Sequence, residues 1–186
     1  MVKVLKILLF TAILLILALF VYYLVSNIFF NGKNSGPGKP LINPIEQIIL
    51  NNTDLNGEVD KEKVINESIL GFNEKYINYI LLSLGVGKLH RSALTFANPV
   101  MELDAGEIWS SELEKGALKT KKGSVDNPDV IFKMSKEEAI KALMAKDMKS
   151  FMKDSVISGR TSMKMVASKA ILFSKGYLKL YEDLKD

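Results

Sequence analysis

From Ile7 to Val25 the chain carries no charged residue, and Leu, Ile, Val or Phe fills about fourteen of those positions. At roughly −0.3 to −0.6 kcal/mol each near a bilayer centre, such residues together favour insertion by several kcal/mol. The length also suits a hydrocarbon core of about 30 Å. The run reads as an uncleaved anchor. A cleaved signal peptide would have a shorter apolar core ending in a small-x-small site, and Val25-Ser26-Asn27 is not one. Tyr22, Tyr23, Phe29 and Phe30 stand where the span would leave the membrane, as interfacial aromatic residues do. Lys3 and Lys6 precede the run, while Lys33 and Lys39 follow at greater distance. That bias favours a single pass with the rest of the chain on the extracytoplasmic side.

Residues 4–30 are therefore expected to be a transmembrane anchor, and residues 31–42 a flexible linker, rich in Gly, Asn and Pro and without apolar periodicity. Residues 43–87 read as helical. A short helix follows Pro44. Asp60 is placed to cap a second helix ending near Gly71, and Asn73 a third ending at Gly85 and Gly87. One long helix kinked at Gly71 is the alternative. Between the first two, Asn52, Asp54, Asn56 and Glu58 around Gly57 resemble a calcium loop. Lys63 stands where a bidentate glutamate belongs, so a plain turn is the better reading.

From residue 88 onward the texture becomes strand-like. Pro99–Asp104, Ile108–Glu114 and Ala117–Lys121 are short segments separated by glycine turns, which predicts antiparallel strands. Asn127-Pro128-Asp129 opens a fourth, in which Val130, Phe132 and Met134 alternate with Ile131 and Lys133. Ser135 followed by Glu138 then forms a capping-box pattern, with Ile140, Leu143 and Met144 at helical spacing behind it. A further apolar stripe carries Met148, Phe151 and Met152. Gly159 ends it, and an alternating strand puts Met163 and Met165 inward. A last helix presents Ala170, Phe173, Tyr177, Tyr181 and Leu184 on one face. The expected class is α+β, a roughly five-stranded, mostly antiparallel sheet covered by helices and preceded by the transmembrane helix.

Several function classes are excluded or weakened. Cysteine is absent, which removes disulfides, thiolate metal sites and cysteine nucleophiles. Basic and acidic residues nearly balance, 25 against 21, so nothing suggests a nucleic-acid partner. His90 is the sole histidine, too little for a histidine metal cluster, and it reads as an exposed loop residue. Glu102, Asp104, Glu107 and Glu112 read as solvent-facing strand positions, not an acid–base pair. Neither a catalytic residue nor a metal or cofactor site is expected.

The strand Pro128-Asp129-Val130-Ile131-Phe132-Lys133-Met134-Ser135, the capped helix behind it and the later Ser158-Gly159-Arg160-Thr161-Ser162-Met163-Lys164-Met165 stretch closely resemble the sterol carrier protein 2 family. The resemblance covers about residues 93–167, within an expected domain of residues 88–186. It implies a sheet with helices on one face and a lipid-binding tunnel between them. On that analogy the tunnel would be lined by Trp109, Phe132, Met134, Leu143, Met144, Met148, Phe151, Met152, Met163, Met165, Phe173 and Tyr177. Flexible thioethers suit an adaptable apolar cavity, and equally suit ordinary core filling. The implied function is non-enzymatic binding of a membrane lipid or other apolar small molecule beside the bilayer reached through Ile7 to Val25. The alternative is a membrane-anchored interaction or dimerisation module with a filled core.

Overall fold

Glycine turns and capping residues divide the chain into short elements, and strand pairing gathers them into one α+β fold. The computed structural model describes residues 15–16 and 41–185, and Pro40–Asp186 form one unit. Apart from residues 15 and 16, the predicted anchor lies outside the described residues. Among the latter, no helix is long and apolar enough to cross a membrane.

The helices are α1 (Glu46–Asn51), α2 (Lys61–Leu70), α3 (Glu74–Ser83), α4 (Lys136–Met144), α5 (Met148–Ile157), α6 (Lys169–Lys175) and α7 (Tyr177–Lys185). The strands are β1 (Val100–Asp104), β2 (Ile108–Glu114), β3 (Ala117–Lys122), β4 (Val130–Lys133) and β5 (Ser162–Met165). Local chemistry sets most of the helix starts. Asp60, Asn73, Ser135, Asp147 and Ser168 each accept a backbone N–H of the first turn behind them, satisfying donors that have no partner within the helix. Gly71 separates α2 from α3 completely, so the kinked-helix alternative does not hold. The Asp54 carboxylate accepts the N–H groups of Asn56 and Glu58 at 2.9 and 2.8 Å. This segment is a turn, with Gly57 at φ +84°.

The sheet order is β3-β2-β1-β4-β5. Three pairings are antiparallel, but β1 and β4 run parallel at its centre. β4 does not simply extend the β1–β3 meander. The chain leaves β3 at one edge and crosses the sheet through residues 123–129 before entering beside β1. Glu102 explains what holds this crossover. Its carboxylate accepts Ser124 Oγ at 2.5 Å and Val125 N–H at 2.7 Å. Glu102 is consequently buried, not solvent-facing as its alternation suggested.

Register puts Trp109, Ser111 and Leu113 of β2, Met101 and Leu103 of β1, Val130 and Phe132 of β4, and Met163 and Met165 of β5 on one face. Against this face the core continues into Ile77, Ile80 and Leu81 of α3, Ile140 and Leu143 of α4, and Met152 of α5. Thr120 on β3 donates to Asn78 of α3 at 2.5 Å and lies 2.7 Å from Ser111 Oγ, so a polar chain fixes α3 over the β2–β3 edge. Lys119, Lys121 and Lys122 crowd β3, where charge discourages pairing with another sheet.

Candidate functional site

An apolar recess of about 300 Å³ opens between α5, β5 and α7, lined by Val156, Ile157, Met163, Tyr181 and Leu184. Helical periodicity puts Tyr181 and Leu184 on one face of α7, while Met163 belongs to the helix-covered face of the sheet. Ile157 is 64% exposed and marks the mouth, whereas Leu184 is fully buried and forms the floor.

Polar links hold the walls. Lys149 on α5 donates to Asp183 on α7 at 2.7 Å, and that ammonium holds the Asp183 carboxyl below its ordinary range. At the far end of α5, Ser155 Oγ donates to Glu138 at 2.6 Å and lies 2.7 Å from Thr161 Oγ1. Arg160 Nε adds a bond to the same Glu138 oxygen at 2.9 Å. The Ser135–Glu138 box is therefore only half formed: Ser135 caps α4, while the Glu138 side chain braces the α5–β5 turn.

Beyond α6 lies a second buried polar centre. Lys175 Nζ is 2.8 Å from both Asp129 oxygens and 2.7 Å from the Asn98 carbonyl. Asp129 also accepts the Val100 N–H at 2.7 Å and the Tyr177 hydroxyl at 3.2 Å. Burial, followed by the Asp129 charge, pushes the Tyr177 phenol well above its usual range. Each polar group here is matched, so the cluster joins β1, β4 and α6 and offers no open chemistry.

Of the residues expected to line a tunnel, Met163 borders the recess. Trp109, Phe132, Met134, Leu143, Met148, Met152 and Tyr177 are buried in the core, with Met144, Phe151 and Met165 packed at its margin. Phe173 is 73% exposed. The reason lies at Gly176, whose φ of +86° splits the expected last helix into α6 and α7. Sequence reasoning missed Val156 and Ile157, and passed over Tyr181 and Leu184 although they shared the apolar face. The available signal was Gly176 itself, a helix-ending residue within an apparently continuous stripe.

Two larger depressions differ in chemistry. One of about 820 Å³ is bordered by Leu41, Ile42 and Tyr79 but also by Glu46, Gln47, Asn73 and Lys75. Another, of about 590 Å³, is bordered by Asp104, Lys133, Ser135 and Arg160. Charged side chains border each of them, whereas none lines the recess. His90 is exposed, with Nδ1 3.2 Å from the Arg91 carbonyl oxygen. Among the described residues, no group of histidine and carboxylate side chains has metal-ligating geometry.

No known family model matches this chain, and no curated protein sequence matches it.

Proposed function

We propose that the protein binds one apolar chain of a lipid or similar molecule without transforming it, close to the bilayer in which Ile7–Val25 anchors it. The observation that carries this reading is the recess between α5, β5 and α7, whose lining comprises aliphatic, thioether and tyrosine side chains. The five-stranded sheet with an apolar face under helices agrees with what resemblance to the sterol carrier protein 2 family implies. At about 30 Å³ per water-sized group, a volume of about 300 Å³ holds roughly ten methylenes. A fully buried methylene contributes about 0.8 kcal/mol, and because the recess is open beside Ile157 the gain is smaller than the full sum over those methylenes before the costs of association. The volume favours a single acyl or isoprenoid chain over a bulky ring system.

The second reading, an interaction module with a filled core, is favoured by the complete burial of Phe132 and Met152 and near-complete burial of Leu143. Native mass spectrometry of the detergent-purified full chain separates the two. A lipid at near-unit stoichiometry, lost in Met163→Trp together with binding of a dansyl-labelled medium-chain fatty acid, supports the carrier. An empty wild-type chain that ignores the fatty acid overturns it and leaves the interaction module.

A further inference from the structure

Residues 91–97, Arg-Ser-Ala-Leu-Thr-Phe-Ala, form a loop ahead of β1 that holds apolar side chains outward. Buried Ser92 organises it. Its Oγ accepts the N–H groups of Leu94 and Thr95 at 3.1 Å each. Its carbonyl accepts from Phe96 at 2.9 Å, and its own N–H reaches the Ala97 carbonyl at 3.0 Å. Phe96 adopts the left-handed conformation, φ +55°, an outlier for a bulky side chain that persists only where its surroundings enforce it. Here Arg91 enforces it: Nε donates to the Phe96 carbonyl, and the guanidinium stands 5.8 Å from the ring centroid. The result is a strained turn with Leu94 64% and Phe96 66% exposed.

The loop is fastened to α6, because Ser92 Oγ and Ser174 Oγ lie 2.7 Å apart. The residue before Ser174 is the exposed Phe173. Neither residues 90–97 nor residues 167–176 include an acidic side chain, whereas Arg91 and Lys169 are exposed within them. Lys175 adds no surface charge, being matched internally by Asp129. None of the depressions described above involves either segment. The two segments carry no carboxylate of their own, and the Glu112 carboxylate next to them is bonded by Asn98 at 2.7 Å; exposed Leu and Phe beside cations is the chemistry that seats a protein in the headgroup layer of an anionic membrane.

We propose that loop 91–97 and α6 dock this domain on an anionic phospholipid surface, with Leu94, Phe96 and Phe173 at the acyl boundary and Arg91 and Lys169 on phosphates. The docking does not depend on a ligand occupying the recess.

Since the chain has no cysteine, Leu94→Cys in the full chain carries a single nitrobenzoxadiazole label. The comparison site is Lys121→Cys, an exposed position on β3 that also controls for simple tethering. Each is mixed with vesicles of phosphatidylcholine alone or of equal parts phosphatidylcholine and phosphatidylglycerol, with and without bromine on the acyl chains. The label at position 94 should brighten severalfold in the anionic vesicles and be quenched by the brominated lipid, while that at 121 changes little. Lys169→Gln should lower the docked fraction about fivefold, the effect of one basic residue at such a surface. Water-like emission at 94 in both vesicle types, or equal responses at 94 and 121, overturns the proposal. So does a shift at 94 that appears without lipid and grows with protein concentration, which would assign the patch to a second copy of the chain.

Discussion

Lys175→Met tests whether the buried ion pair beneath α6 is a keystone of the fold. The Lys175 and Asp129 side chains are each 5% exposed. Methionine keeps most of the lysine stem's volume, so the substitution removes a charge and its three hydrogen bonds with little loss of packing. Asp129 would retain the Val100 N–H and the Tyr177 hydroxyl, neither of which carries a full positive charge. Stranding one member of a buried pair costs about 3–5 kcal/mol. Asp129→Asn leaves the reverse fault, an unmatched ammonium, while preserving an acceptor for Val100. The double variant removes both charges and should recover ~2 kcal/mol or more of the summed cost. The assay is urea unfolding of the full chain in detergent, followed by the single tryptophan, Trp109, which is buried on β2. With a slope of about 2 kcal/mol per molar urea, each single variant should lower the midpoint by about 1.5–2.5 M. Single-variant costs that add within about 0.5 kcal/mol would refute the coupling, and with it the view that α6 is held by charge and not by packing alone.

Adjacent serines on β2 make a sharper local comparison. Ser110 Oγ is buried without a partner among the described residues, so Ser110→Ala should be neutral or stabilising by up to ~1 kcal/mol; Ser111→Ala, which breaks the bond to Thr120, should cost ~1 kcal/mol in the same melt. Glu107 bonds Lys122 and Lys136, which together hold its carboxyl down to about 2. Because the folded value is lowered, its contribution is present above about pH 4.5 and is lost as pH falls toward 2; Glu107→Gln should flatten stability against pH across that window, and an unchanged slope would sink the assignment. Gly176→Ala meets only ordinary contacts, His90 Nε2 at 3.6 Å and Leu89 at 3.7 Å, so its expected cost of ~1 kcal/mol comes from the left-handed φ, and Gly176→Asn should recover part of it in thermal unfolding.

The elements whose causes are local were legible in the sequence. Strand ends at Asp104, Glu114 and Lys133 follow turn residues and changes of period, and caps at Asp60, Asn73 and Ser135 follow from side chains that reach their own first turn. What escaped is set by distant partners. Nothing within residues 123–134 says that β4 will lie parallel to β1 rather than extend the meander, because strand pairing is a non-local choice. The burial of Glu102 is a consequence of that choice, through its bonds to the crossover at Ser124 and Val125. The candidate site shows the same division. Periodicity identifies the inward positions, and Phe132, Leu143 and Met152 are indeed buried; it does not say whether an inward side chain meets another side chain or open space. That depends on how α5 and α7 diverge, which Lys149–Asp183 and the Glu138 brace determine over long sequence separations.

Gly176 connects these outcomes. In one continuous helix, Phe173, Tyr177, Tyr181 and Leu184 would follow at spacings of four, four and three residues and share a single buried stripe. The left-handed residue at position 176 ends α6 and redirects the chain. Phe173 can then remain outside while Lys175, two residues later, reaches Asp129 in the interior. After the break, Tyr177 joins the same carboxylate, and Tyr181 and Leu184 run on along the recess. The proposed membrane-facing patch and the apolar recess thus occupy two short helices joined at one glycine, with the ion pair fixing the junction. The Lys175–Asp129 bond and the Ser92–Ser174 contact hold α6 and the loop fastened to it, while Lys149–Asp183 holds α7 separately.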